Sequence, residues 1–160
     1  MRGRVVQKTP LNEIRVLFKT VNPVPNAAPT YNGAPTDRLP VVRIYDDGRR
    51  SLDLLRWGLV PWWARTSRSA RAVSTRWPRR SRPSRPSATP SRAGNAAGRA
   101  FYEWKKTPAG KQPYAIVGAD GLPLAMAGLW ERWKDRSTGD TVQTFTIITT
   151  VPQRALWRHS

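Results

Sequence analysis

A single carboxylate stands inside the run Phe101-Tyr102-Glu103-Trp104-Lys105-Lys106, an aromatic–acid motif of the kind enzymes carry, which makes Glu103 a candidate catalytic acid or base. The plainer reading is a strand glutamate paired with a nearby Arg or Lys. The chain has no Cys and one His, so thiol nucleophiles and Cys- or His-cluster metal sites are excluded, and no metal or other cofactor is expected. His159, one residue from the end, reads as a solvated side chain. Arg4 can serve as a phosphate contact or as a structural ion-pair partner. The adjacent Trp62 and Trp63 cannot both face inward on a regular strand, so at least one is a candidate surface aromatic. Such a ring can stack on an unpaired base, because every base offers a π-face.

The elements that position these residues are mostly strands. Thr9-Pro10 with Glu13 predicts a helix start, and Leu11, Ile14, Leu17, Phe18 and Val21 recur at helical spacing, so a helix is expected over 10–21. Residues 22–38 are rich in Pro and Asn and read as loop. "LPVVRIYD" and "SLDLLRWGLV", joined by Asp46-Asp47-Gly48, predict a hairpin. Beyond Phe101, "FYEWKK", "QPYAIVG", "PLAMAGLWERW" and "VQTFTIITT" read as successive antiparallel strands between Gly, Pro and Asp turn signals. Trp57, Trp104 and Trp130 read as packing residues. The expected class is α+β, with a mainly antiparallel, barrel-like sheet and few flanking helices.

The net charge of +18 points to a polyanionic partner, but residues 65–100 hold ten arginines and no carboxylate, so the excess is concentrated in one stretch. Residues 74–99 contain seven Arg, five Ser, four Pro and four Ala and no Leu, Ile, Val, Met or Phe. Such a composition buries almost nothing, so 74–100 is expected to be irregular. The opening residues have no apolar stretch of signal-peptide type, and no 18-residue apolar run follows. Together with the absence of Cys this suggests a soluble cytoplasmic protein without membrane contacts.

Eight short pieces, in order, resemble the SRAP family of SOS response-associated peptidases, also called abasic-site processing proteins. They are Gly3-Arg4, "NAAPT" at 26–30, "LPVVR" at 39–43, "RWGLVPWWA" at 56–64, "FYEWKK" at 101–106, "KQPYAI" at 111–116, "AGLWE" at 127–131 and "TIITT" at 146–150. The resemblance implies a single domain over 1–160, a monomer, and single-stranded DNA containing abasic sites as partner. It implies hydrolase or lyase chemistry in the DNA damage response, in which an N-terminal Cys amine and thiol close a ring on the abasic aldehyde. Glu103 matches the family's supporting Glu, whereas Arg2 stands where the family has that Cys. Thr149, by family position, would contact the reacting nucleotide; a Thr-rich strand is also ordinary sheet chemistry. The family's Asn and His motifs have no in-frame match, so impaired catalysis is expected. The alternative is a non-enzymatic basic nucleic-acid binder that uses its arginine-rich segment.

The arginine-rich stretch has a specific explanation. If each codon takes the third base of one residue's codon and the first two of the next, residues 73–91 permit Ile-Asn-Ala-x-Ala-Glu-Thr-Val-Ala-x-Lys-Pro-x-Phe-Arg-Asp-Ala-Phe, which resembles the missing family region. Residues 151–160 are likewise expected to be an aberrant C-terminus, with the family's His motif in another frame. The hypothesis is thus a frameshifted family member. Nucleotide sequencing across codons 70–100 is expected to reveal compensating indels; an intact frame matching related genes would remove the idea.

Overall fold

The computed structural model describes residues 3–61, 64–65 and 92–149, and the architecture below is that of these residues. Nine strands and one helix run in the order β1 (Val5–Gln7), α1 (Leu11–Phe18), β2 (Thr30–Gly33), β3 (Arg38–Ile44), β4 (Arg50–Trp57), β5 (Arg92–Gly98), β6 (Ala100–Thr107), β7 (Gly110–Val117), β8 (Leu124–Lys134) and β9 (Thr141–Ile147). Five of the strands close a ring in the order β3-β4-β9-β8-β5, and the other four form an open sheet, β2-β1-β6-β7. The mainly antiparallel, barrel-like α+β class expected from the strand spacing is what the chain adopts.

Alternation along each strand builds the interior. Leu39 and Val41 of β3, Leu55 and Trp57 of β4, Ala96 of β5, Met126 and Trp130 of β8, and Phe145 and Ile147 of β9 form one buried cluster inside the ring. Trp57 stacks on Phe145 at 6.1 Å. The intervening residues Val42, Leu52 and Ala97 face outward and are covered by Ile14 of α1, with Leu11 and Phe18 packed around them. A third cluster, Val60, Ala64 and Trp133, is fastened by the Trp133 indole N–H donating to the Ala64 carbonyl at 2.8 Å.

One end of the ring is polar. Arg43, only 8% exposed, meets the Asp53 carboxylate at 2.7 Å and donates to Gln143 Oε1 at 3.0 Å, while Ser51 donates to the same carboxylate at 2.5 Å. The Arg43 guanidinium lies 4.9 Å from the Trp130 ring centre. A buried cation thus has a carboxylate, an amide and an aromatic face, which is what makes its burial tolerable.

Several expectations are corrected. The helix is shorter than 10–21. It starts after Pro10, which occupies the cap position with no side-chain capping bond, so Thr9 is not the cap. It ends at Lys19, whose left-handed φ of 52° lets Lys19 N–H reach Val16 O and Thr20 N–H reach Arg15 O. That Schellman closure turns the chain before Val21 can join. The stretch 22–38 is not all loop, since Thr30–Gly33 pairs with β1, and β1 itself has too few residues for a periodic signal.

β7 and β8 are not paired; the chain crosses there from the open sheet to the ring. β4 and β9 run parallel rather than antiparallel. Residues 92–98 are not irregular either: they form β5, paired with β3 and β8. Their small size, which argued against order, is what the ring needs there. A Cβ on Gly94 would lie 3.1 Å from Val42 O and 3.2 Å from Trp130 Cδ1. The rest of the arginine-rich stretch, 66–91, and the segment 151–160 lie outside the described residues.

The same close approach recurs at Gly128, where a Cβ would stand 2.5 Å from the Thr146 carbonyl oxygen, a backbone atom that cannot swing away. Gly128→Ala is expected to cost roughly 2 kcal/mol or more, as overpacking does. Gly48→Ala, at φ 81° but with open space around it, should cost about 1 kcal/mol through backbone strain alone. Urea unfolding midpoints at constant m-value measure both.

Candidate functional site

Two residues of β1 carry the start of the chain onto the open sheet. Val5 pairs with Phe101 and Val6 with Ala100, antiparallel, and Tyr102 N–H donates to Arg4 O at 3.0 Å. That bond carries the contact one residue past β1, to Tyr102, the neighbour of Glu103 in β6. Gly3 adopts φ 73°, a turn favourable to glycine, with Pro35 against it.

Val5 and Ile147 belong to the buried ring cluster, and Phe101 packs against it. Glu103 stands two residues beyond Phe101 in β6, on the same face of that strand, while Gly3 and Thr149 fall just outside β1 and β9. For Thr149 the extension of β9 is held by Ile148 N–H donating to Ala127 O at 2.8 Å. Glu103 and Thr149 are both half-buried. β7 flanks β6 on its other side, with Tyr114 opposite Glu103.

The remaining candidates divide as follows. Arg4 donates to Asn32 Oδ1 at 2.7 Å, so an amide rather than a carboxylate holds its guanidinium at the rim of this surface. Asn32 sits on β2, and Tyr102 reaches the same strand by donating to Tyr31 O at 3.3 Å. These contacts fix β2, Arg4 and β6 relative to one another, and Asn32 carried no signal of its own in the Pro- and Asn-rich stretch. Arg2, Trp62, Trp63 and His159 lie outside the described residues. Trp57 and Trp130 are buried packing residues, as expected, and Trp104 is half-buried against Tyr102 at 6.2 Å between ring centres.

Chemically, the arrangement sets the Glu103 carboxylate on β6, the strand that pairs with β1. Among the described residues no group of three or more His, Cys, Asp or Glu is arranged to hold a metal ion. No helix among them is long and apolar enough to cross a membrane.

Comparison with known proteins gives this geometry a lineage. A protein from Bacteroides thetaiotaomicron, known from its crystal structure, superimposes with a TM-score of 0.75 over 96% of this chain and 70% of its own, at 20% identity, which shows a shared fold. The abasic site processing protein YoqW of Bacillus subtilis is 34% identical over 135 residues, covering 80% of this chain and 58% of YoqW. The abasic site processing protein HMCES of Xenopus tropicalis is 26% identical over 162 residues, covering 82% of this chain and 48% of HMCES. The chain therefore spans between about half and three-fifths of the length of these two relatives. The family model described as SOS response associated peptidase (SRAP) matches residues 1–159, and the chain belongs to that family.

Proposed function

We propose that this chain acts on abasic sites in single-stranded DNA, with Glu103 as the acid–base group and the amine at the start of the chain as the nucleophile. The observation that supports the reading is the β1–β6 pairing, Val5 with Phe101 and Val6 with Ala100, which runs the first strand of the chain alongside the strand that carries Glu103. An α-amine has a pKa near 7.7–8.0, so a useful fraction is neutral and nucleophilic at physiological pH.

In the proposed reaction the amine nitrogen attacks the aldehyde carbon of the ring-opened sugar. Glu103 carries the proton that converts the carbinolamine hydroxyl to departing water, leaving an imine. The names of YoqW and HMCES as abasic site processing proteins support the substrate class. Arg4 is assigned to a phosphate of the strand, Thr149 to the reacting nucleotide, and Trp62 and Trp63 to base stacking.

Arg2 alters the outcome. A Cys in that position could add its thiolate to the imine carbon, passing the proton to nitrogen and closing a stable ring. A guanidinium stays protonated and cannot. The proposed chain therefore stops at a reversible imine, which water hydrolyses either directly or after loss of a C2′ proton has expelled the 3′-phosphate and cut the strand. The frame hypothesis is supported by Arg92, which directly follows the out-of-frame reading of 73–91 and is the first residue of β5.

Borohydride is expected to trap a covalent adduct between the chain and a single-stranded oligonucleotide bearing an abasic site. Glu103→Gln should slow trapping about a hundredfold, within the range of a general acid–base group. Arg2→Cys should give an adduct that forms without reductant. No trapped adduct from the unaltered chain overturns the reading.

The second reading, a non-enzymatic binder, is favoured by the arginine-rich stretch. Because residues 92–98 are a ring strand, the discriminating deletion is 74–91. Preference for abasic single strands should survive that deletion if Glu103 marks the site, whereas nearly all affinity should vanish if the segment is the contact.

A further inference from the structure

The ring is closed unevenly. β3 and β4 pair over seven residue pairs and β8 and β9 over seven, but β4 and β9 pair only at Arg56 with Thr144 and Trp57 with Phe145. On the Arg50 side of Arg56 the two strands part. The seam that opens is a cleft of about 530 Å³ lined by Arg38, Leu54, Arg56, Arg132, Val142 and Gln143, among others.

Arg132 also lines a second hollow of about 540 Å³ at the β8–β9 turn, with Lys134, Asp135, Arg136 and Gly139. Arg38, Arg56, Arg132, Lys134 and Arg136 thus form one cationic track, and Asp135 is the one carboxylate among the lining residues of the two hollows. Asp135 is already engaged, its Oδ1 accepting from Ser137 Oγ at 2.6 Å and Ser137 N at 2.8 Å.

Charge decides what such a track accepts. The two stretches of this chain outside the described residues that are long enough to reach across a surface, 66–91 and 150–160, carry seven and two arginines and no carboxylate, so both would be repelled. The cations extend over two adjoining hollows, which suits a chain of charges rather than a small anion. Thr141–Gln143 of the seam and Thr149 of the candidate site lie toward opposite ends of β9, so the track and the site are separate surfaces. At about 3.3 Å per residue, the eight steps from Thr141 to Thr149 correspond to roughly 25 Å.

We infer that the β4–β9 seam and the adjoining β8–β9 turn form a second DNA-contact surface, a track for the phosphates of a single strand whose abasic nucleotide lies at the Glu103 end. The inference goes beyond the proposed reaction and rests on it only in taking single-stranded DNA as the partner. With stacked nucleotides about 3.4 Å apart, a strand must exceed about eight nucleotides to engage both surfaces.

The test measures binding of undamaged 5- and 20-nucleotide single-stranded deoxyoligonucleotides by the full chain across a salt series. In the triple variant Arg56→Gln/Arg132→Gln/Lys134→Gln, the salt slope for the 20-mer should fall by about 2, at roughly 0.7 per lost phosphate contact. Its affinity for the 20-mer at 100 mM salt should fall at least tenfold, with borohydride trapping of a 5-nucleotide abasic strand unchanged. Lys134→Gln/Arg136→Gln, confined to exposed positions at the turn, should lower the slope by about 1.4 and guards against a folding defect in the triple variant. A 20-mer slope unchanged in the double variant overturns the track while leaving the proposed reaction standing. Failure of the unaltered chain to bind either oligonucleotide overturns both.

Discussion

The hydrogen bonds that Arg99 N–H makes to Val6 O at 2.7 Å and Tyr102 N–H makes to Arg4 O at 3.0 Å tie the first strand to the stretch where the ring passes into the open sheet. Between them lies the pairing of Val5 with Phe101. β5 passes into β6 through the single residue Arg99, so the ring and the open sheet share one continuous length of chain. β1 straddles that junction: Val5 is buried in the ring cluster while its backbone belongs to the open sheet. A strand of only three residues is held because its side chains are core and its amides are paired on both flanks. Were β1 to peel away, the cluster that holds Phe101 and Ile147 would lose Val5, and β6, which carries Glu103, would lose a paired neighbour.

Much of the ring was legible because its strands obey alternation. "LPVVRIYD" and "SLDLLRWGLV" carry large apolar residues at period 2 and a turn signal between them, and they pair from Arg38 with Arg56 to Ile44 with Arg50. Glu103 was legible from the aromatic motif around it. What alternation cannot convey is which strands meet when the sequence between them gives no turn signal. The parallel contact of β4 with β9 joins residues 88 apart, at Arg56 and Thr144, and nothing local to either strand encodes it.

β5 illustrates the opposite failure. Arg92, Ala93, Gly94, Asn95, Ala96, Ala97 and Gly98 have neither bulk nor strand propensity. Order there is imposed from outside by Val41, Val42 and Trp130, whose side chains and backbone leave room for nothing larger at Gly94. The Arg43 network was hidden for a similar reason. Arg43 and Asp53 are separated by a hairpin turn, and only the register that brings both to the polar end of the ring makes them partners.

The open sheet ends on one side in β7, where every residue from Gly110 to Ala115 is exposed and Tyr114 and Val117 present large apolar surfaces to water. An uncovered strand of this length is a template on which another chain can add. Pro113 has no amide hydrogen to offer such a visitor, and Lys111 places a cation on the same edge. On the far side, β2 is only four residues long and lies between Pro29 and Pro35. The sheet is therefore blunted at both margins, which gives a strongly basic chain with exposed aromatics a defence against fibrous self-association beyond that of its net charge.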